Sequence, residues 1–515
     1  MTTCLFGLEE ELAVSASFPD GQPVPVEFLA GRLIGQACVR LPHLSGGGTR
    51  LFLANGSLLY VDCGSHPEVA TPECTTPWEA VAHLRAAERT LAEVALDVGR
   101  ASRLGEVRIA RCNVDYLGTT TWGCHESYLC RRPVGEYVAP LVPHLVSRIV
   151  YTGSGGFDPR SEGLAFSLSP RVRYLMDVVS PSSMGGRGIF HTKDEPLSGA
   201  YHRLHVLAGD SACSELATWL KVASTALIVA CVDAGVELGG LAPADPLAAM
   251  RRFAADPLCR ATVETGGPIA AQTTAIQIQR RYLQAVRAHA GTRALPDWAP
   301  EVCARWGQVL DLLETSPAAL GATLDWPLKW RLFTDRLARR GHTWESVRVW
   351  TWTLSTLRSC GGQDLETSPH GIDQRAVQRF GRIGPRARRA VDCLTRRLAR
   401  HGLTWSGLDD FLALRAELRA LDVRFGVLDK GVFAELDRTG VLRHRVTAED
   451  EVRAAQTNPP ARGRARIRGE CVARLSGQRG AYLCDWQGIS GPERFLDLSD
   501  PLETQERWRA RGPAG

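Results

Sequence analysis

From residue 4 to residue 18 the chain alternates: Phe6, Leu8, Glu10, Leu12 and Val14 share one parity, and Leu5, Gly7, Glu9, Glu11 and Ala13 the other. A period of two with one mostly apolar parity predicts a half-buried strand with Glu9 and Glu11 on its polar face. Residues 51–54, Asn55-Gly56 and residues 57–62 read as a hairpin, because Asn-Gly accepts the positive φ of a two-residue turn. Tyr60 and Asp62 share a parity on its second strand. Thr76-Pro77-Trp78-Glu79 opens a helix to about Arg100: Thr caps, Pro sits in the first turn, and Glu completes a capping box. A further strand is expected at 107–113. A long helix is expected at 214–234, with Gly235 as its stop. Strands and helices mingle through residue 330 without regular βαβ repeats, which predicts an α+β domain with an antiparallel sheet. Residues 335–420 are Arg-rich, amphipathic and helical, and a small α/β unit with a turn at Thr457-Asn-Pro-Pro460 follows. The expected organisation is a catalytic domain over 1–334, a helical insertion over 335–420 and a C-terminal domain over 421–515.

Composition narrows the class. The 515 residues are 44% apolar and 23% charged, a globular balance. No apolar run reaches eighteen residues, so no membrane span is expected, and the first residues lack the basic and apolar regions of a secretory leader. Fifteen cysteines contain no CxxC pair, which reads as free thiols in a reducing cytoplasm rather than a zinc or redox motif. Basic residues number 61, only four of them lysine, against 56 acids. Positive charge spread along the chain in this way gives no reason to expect a nucleic-acid partner.

The acids of the first third are unusual for a structural sheet. Glu9, Glu11, Asp62, Glu68 and Glu73, with Tyr60, would repel one another if they converged, unless a proton or cation intervened. Oxygen-rich sets of this kind suit Mg²⁺; a solvated outer sheet face is the competing reading. His125 and His205 are imidazole candidates for the same site. Gly153-Ser-Gly-Gly156 lacks a Walker lysine and reads as a flexible connecting loop rather than a phosphate cradle.

Gly7-Leu-Glu-Glu-Glu11, Asn55-Gly-Ser-Leu-Leu-Tyr-Val-Asp62 and Ser65-His-Pro-Glu-Val-Ala-Thr-Pro-Glu-Cys-Thr75 together resemble the signature of the Pup ligase and depupylase family, the proteasome accessory factor A-type enzymes. Asn113-Val-Asp115, Gly123-Cys-His-Glu-Ser-Tyr128, Asp194-Glu-Pro196, residues 203–211, residues 464–470 and Asp485-Trp486 continue it in order. The resemblance implies a glutamine-synthetase-like fold, with a curved antiparallel sheet flanked by helices and a small C-terminal domain closing one end. It implies ATP and Mg²⁺ as cofactors. The implied reaction is phosphorylation of a glutamate carboxylate, the modifier's C-terminal Glu, followed by attack of a lysine amine. By the same resemblance Glu9, Tyr60, Glu68, His125 and His205 would hold metal, and Asp62 would be the catalytic aspartate. Thr71, Trp486, Lys193 and Arg203 would contact nucleotide.

The pattern departs from the family at Leu58, where an Arg is expected, and at Lys193, where Arg is expected. Val69 and Leu12-Ala13 depart as well, and the long depupylase insertion between first strand and hairpin is absent. The implied partners are ATP with a Pup-like modifier and its lysine-bearing acceptor, or a small-molecule acceptor in a phosphotransferase. Deamidation or depupylation on the same fold, and a pseudoenzyme that only binds nucleotide, are also compatible with these residues.

Overall fold

The computed structural model describes residues 4–118, 120–182, 186–192, 200–239, 241–267, 271–361, 372–478 and 480–510. Thirteen strands form one sheet: β1 (Phe6–Glu11), β2 (His43–Ser45), β3 (Leu51–Leu53), β4 (Leu58–Val61), β5 (Pro67–Ala70), β6 (Cys124–Cys130), β7 (Leu175–Ser180), β8 (Arg187–His191), β9 (His202–Val206), β10 (Leu483–Cys484), β11 (Gly488–Ser490), β12 (Arg494–Asp497) and β13 (Trp508–Ala510). Their order is β7-β8-β9-β6-β1-β5-β4-β3-β2-β10-β11-β12-β13. The expected antiparallel sheet is therefore mixed, because β7/β8 and β2/β10 pair in parallel. The second of these joints stitches the C-terminal strands onto β2, which flanks the hairpin, so they extend the main sheet.

The period-two reading of the first strand holds for its apolar parity: Phe6, Leu8, Glu10 and Leu12 are all buried. Glu10 is tolerated there because the Ser211 hydroxyl donates to its carboxylate at 2.5 Å. The strand does not run unbroken to residue 18. It ends at Glu11, and Ala13–Ser15 pairs instead with Arg108–Ala110, three residues within the strand expected at 107–113.

The hairpin also differs in detail. Leu51 pairs Leu59 and Phe52 pairs Leu58, and the Leu53 amide donates to the Ser57 carbonyl, leaving a three-residue turn of Ala54, Asn55 and Gly56. Only Gly56 takes positive φ, at 83°. Asn55 is drawn away from the left-handed region because its side chain has two other partners: it accepts from the Ser57 amide at 3.1 Å and donates to the Ala455 carbonyl at 2.9 Å.

Both long helices form as their caps predict. Pro77–Ser102 has the complete Thr76/Glu79 capping box, and Glu215–Asp233 starts at Ser214, whose hydroxyl accepts from the Ala217 amide. Among the described residues Glu215–Asp233 is the one helix long and apolar enough to cross a membrane, and 94% of its most apolar window is buried inside the fold. It packs with Pro77–Ser102, Gly135–Ser147 and Ala299–Thr315 in the principal core, around Trp219, Trp306 and Tyr151.

A second core belongs to the helices Asp325–Arg339, Trp344–Gly361, Gln374–Arg382, Pro385–Arg400 and Leu408–Phe425. It is built on Phe333, Trp350, Phe380, Leu398 and Phe411, with Trp350 stacked on Phe411 at 5.7 Å. Asp325–Arg339 and Leu408–Phe425 run across positions 334/335 and 420/421. Gly153–Gly156 is not a flexible loop. It is a buried bend in which the Ser154 amide and hydroxyl both donate to Asp210 at 2.9 Å, and a Cβ on Gly155, at φ 70°, would lie 2.8 Å from the Trp326 backbone.

Candidate active site

Strand register alone gathers the site, because directly paired residues share a sheet face. Glu11 pairs with Glu68 and Glu68 with Tyr60, giving one row. The next row is Leu58, Ala70, Glu9 and His125. Gly7, Ser127, His205 and His191 make a third, and Leu129 pairs with Arg203 beyond it. Alternate residues of six strands, β1, β4, β5, β6, β8 and β9, thus put three glutamates, a tyrosine and three histidines on one face.

The electrostatics follow from that crowding. Burial pushes the Glu68 carboxyl well above the usual range, and Glu9 and Glu11 push it further. Burial raises Tyr60 well above its ordinary value too, with Glu68, to which its hydroxyl donates, as the next cause. Glu11 is raised by burial against the opposing pull of Arg171, and it accepts from the Gly123 amide at 2.7 Å. His125 is held well below the imidazole range by burial first, then by Arg171 and His205. Without a cation, Glu68 and Glu11 therefore favour the protonated form and His125 the neutral one.

The donor set fits a divalent metal. Glu9, His125 and His205 offer ligand atoms within 4.8 Å of one another, with Tyr60 and Glu68 in the adjoining row. Carboxylate and phenol oxygens suit Mg²⁺, and the two imidazoles extend the set toward Mn²⁺. All five expected ligands are thus brought to one face. Glu9 also pairs with Arg203 at 2.5 Å and lies 3.5 Å from His205 Nε2.

Asp62 belongs to a second group. Its carboxylate accepts from the His66 amide at 2.6 Å and lies 3.2 Å from His66 Nδ1, and Glu11, Asp62 and His66 offer atoms within 4.8 Å of one another. His66 was legible in the Ser65-His-Pro-Glu motif, two residues ahead of Glu68. Arg171 carried no sequence signal. It reaches the site from a 3-10 turn and donates to the Leu207 carbonyl at 3.1 Å.

Beside Glu9 on this face lies a cavity of about 230 Å³. Gly7, Glu9, Thr71, Ser127, Arg203 and Trp486 line it, so three of the four expected nucleotide contacts converge there. Lys193 lies outside the described residues. Thr71 Oγ1 accepts from the Leu8 amide at 3.0 Å. Trp486 stands edge-on to Phe52 at 5.2 Å, with the Arg468 guanidinium 4.6 Å from its ring centre. Glu73 and Arg464 also line the cavity; they were quoted in motifs but not assigned to it. Leu58 is buried against Ile467 and Cys471. Across the sheet, a cleft of about 1270 Å³ runs between Trp122, Tyr116 and the helix Leu408–Phe425, lined by Arg160, Arg419 and Lys430. Trp122 lies 5.3 Å from the His66 ring, which brings the cleft to the Asp62 group.

Comparison with known proteins gives concordant matches. The family model described as Pup-ligase protein matches residues 20–355 and 391–490. A Pup–protein ligase of Micrococcus luteus is 30% identical over 522 residues, covering 97% of this chain and 95% of its own. A Pup deamidase/depupylase of Mycolicibacterium smegmatis is 33% identical over 445 residues, covering 85% of this chain but 75% of its own. The solved complex of the prokaryotic ubiquitin-like protein Pup with its ligase PafA shares the fold, with TM-score 0.72 at 23% identity over 97% of this chain and 90% of that chain.

Proposed function

The chain belongs to the Pup-ligase family, whose members include ATP-dependent carboxylate–amine ligases, and from that premise we propose that it joins a glutamate side-chain carboxylate to an amine through an acyl phosphate. The observation that carries this reading is the face holding Glu9, Glu11, Glu68 and Tyr60 between two openings, a cavity at Trp486 and a wide cleft that reaches the Asp62 group through Trp122 and His66. Phosphoryl transfer needs metal and positioned charge rather than covalent help from the protein, and this face supplies both.

Glu9, Tyr60, Glu68, His125 and His205 would hold Mg²⁺, which supplies charge to the transferring phosphoryl group. Thr71 and Trp486 would seat the nucleotide, and Lys193 is kept as a further contact. Arg203, which pairs with Glu9 and donates to the Ser127 hydroxyl, would stand at the cavity wall to bind phosphate. The carboxylate oxygen takes the γ-phosphoryl group as ADP leaves. The amine nitrogen then attacks the carbonyl carbon, phosphate departs, and Asp62 accepts the proton from the nitrogen as it becomes cationic. His66 already fixes both Asp62 oxygens.

A modifier ending in Glu would reach the Asp62 group along the cleft, whose Arg160, Arg419 and Lys430 suit an acidic chain. Ligase chemistry is favoured over depupylation by length. The chain spans 95% of the Micrococcus luteus ligase but 75% of the depupylase, and the connection from β1 to β2 is filled by one helix, Val26–Arg40. We place the protein in the cytoplasm; all fifteen cysteines are free thiols, which supports that reading. We further propose that the Arg-rich helical insertion expected at 335–420 is confined to 356–390, the stretch the family model passes over.

The test uses labelled Mg·ATP with a peptide ending in Glu and hydroxylamine as the amine. Hydroxamate formation with release of ADP and phosphate supports the ligase reading. Ammonia release from the peptide ending in Gln, without hydroxamate from the Glu peptide, would replace it with deamidation.

A further inference from the structure

The helices Gln374–Arg382 and Pro385–Arg400 concentrate charge to a degree the whole-chain balance conceals. Residues 374–400 hold nine arginines and one acid, Asp392, a net +8; the whole chain carries +5, so all other residues together sum to −3. The positive charge is therefore gathered, not spread. Ala376, Val377 and Phe380 of the first helix, and Ala387, Leu394 and Leu398 of the second, turn into the helical core. That orientation sends the arginines outward: Arg375 and Arg382 on the first helix, and Arg386, Arg389, Arg396 and Arg400 on the second, are all exposed. None of these six forms an ion pair with a carboxylate among the described residues.

Spacing gives the patch a shape. Arg386, Arg389, Arg396 and Arg400 recur at intervals of three, seven and four, one stripe along an α-helix. At 1.5 Å per residue the stripe is about 21 Å long. One DNA strand presents a phosphate about every 3.4 Å of axis, so the stripe matches about six successive phosphates. Guanidinium forks bind phosphate oxygens in pairs, which an ammonium cannot do. At the border of the patch the Arg397 guanidinium lies 3.6 Å from the centre of the Trp352 ring, which is 43% exposed, an aromatic surface of the kind on which bases stack. Ile383 is the one large exposed aliphatic side chain of the two helices. A peptide partner would find little apolar surface to bury there.

We propose that this stripe docks the phosphate backbone of a nucleic acid. Six of the nine arginines lie within 356–390, the stretch the family match passes over, and Arg396 and Arg400 follow just inside its second part. Such docking departs from the expectation, drawn from the overall charge, that no nucleic acid is bound.

Fluorescence anisotropy of the full chain with a short labelled DNA, single-stranded and duplex, tests it. Four phosphate contacts predict a slope of log affinity against log salt near −3.6 for duplex, about a hundredfold loss between about 50 and 200 mM salt. Replacing Arg386, Arg389, Arg396 and Arg400 together by Gln should abolish binding or flatten the slope toward zero, while Mg·ATP turnover is retained. The matching fourfold Lys variant should restore a salt-dependent slope and so exclude misfolding as the cause. Absence of DNA binding at low salt, or a slope unchanged in the Gln variant, would overturn the proposal. So would capture of poly-glutamate in preference to both DNAs, which would make the stripe a docking site for an acidic protein.

Discussion

Glu73 is the residue through which the C-terminal helix Gly463–Leu475 grips the catalytic sheet, and Glu73→Gln should loosen that grip measurably. Its carboxylate accepts from Arg464 Nε at 2.7 Å and from both terminal nitrogens of Arg468, one of them at 3.2 Å. Arg468 also donates to the Gly56 carbonyl at 3.1 Å, and Arg464 to the Leu498 carbonyl at 3.0 Å, so one acid ties hairpin, helix and terminal strands together. Burial alone would raise this carboxyl; Arg468 and then Arg464 outweigh it and hold the value at about 2 against an ordinary 4.5. At about 1.4 kcal/mol per pH unit, that depression corresponds to about 3 kcal/mol of stability. Because the folded-state value is the lower one, this contribution is complete above pH 4.5 and is lost as pH falls toward 2. Glu73→Gln removes it at every pH and leaves two buried guanidiniums without a carboxylate, a cost of about 3–5 kcal/mol for such pairs. Amide hydrogen exchange should then show lost protection over Gly463–Leu475 and β11–β12 at pH 7, together with weaker ATP binding, since Glu73 and Arg464 line the cavity proposed for nucleotide. Wild type should lose the same protection only on acidification. Wild-type protection in Glu73→Gln at pH 7, or equal acid sensitivity in both proteins, would refute the reasoning.

Three further outcomes are expected. Asp62→Asn should leave Mg·ATP affinity intact by calorimetry and cut single-turnover product formation by about 10²–10⁴, whereas Glu68→Gln should weaken nucleotide binding itself; the reverse pattern would exchange their roles. Trp486→Ala should weaken ADP and ATP binding by about 1–3 kcal/mol, the contribution of an aromatic ring stacked on a base, and unchanged affinity would place the base elsewhere. Trp350→Ala, which empties the centre of the helical core, should destabilise that core by about 3–5 kcal/mol by denaturant titration while sparing nucleotide affinity.

The sequence disclosed those features that depend on local rules. The Thr76/Glu79 capping box, the Ser214 start and the Glu9/Glu11 parity each follow from a few neighbouring side chains, and each forms as read. What stayed hidden depends on partners far along the chain. The turn at Asn55 lengthened because Ala455, four hundred residues away, takes its amide. The sheet became mixed because Leu483 docks beside Ser45. Arg171 enters the site from a turn whose sequence carries no periodicity that could announce it.

Leu58 shows how local and distant information combine. Parity places it on the Tyr60 face, and the resemblance expects an arginine there to touch nucleotide. The structure pairs this leucine with Ala70 and buries it in one apolar cluster with Ile467, Cys471 and Val472 of the helix Gly463–Leu475, with Trp486 at the edge of the same cluster. An aliphatic side chain there adds to the apolar cluster beside the cavity but would leave the phosphates of a nucleotide bound as proposed one cation short. Among the described residues the guanidiniums lining that cavity are those of Arg203 and Arg464. Arg464 is tied to Glu73 on the far side, whereas Arg203 is tied to Glu9, the carboxylate a metal would claim. In the ligase reading we propose, the missing charge would therefore come from Arg203, which Glu9 and the Ser127 hydroxyl hold at the cavity wall, in place of an arginine at position 58.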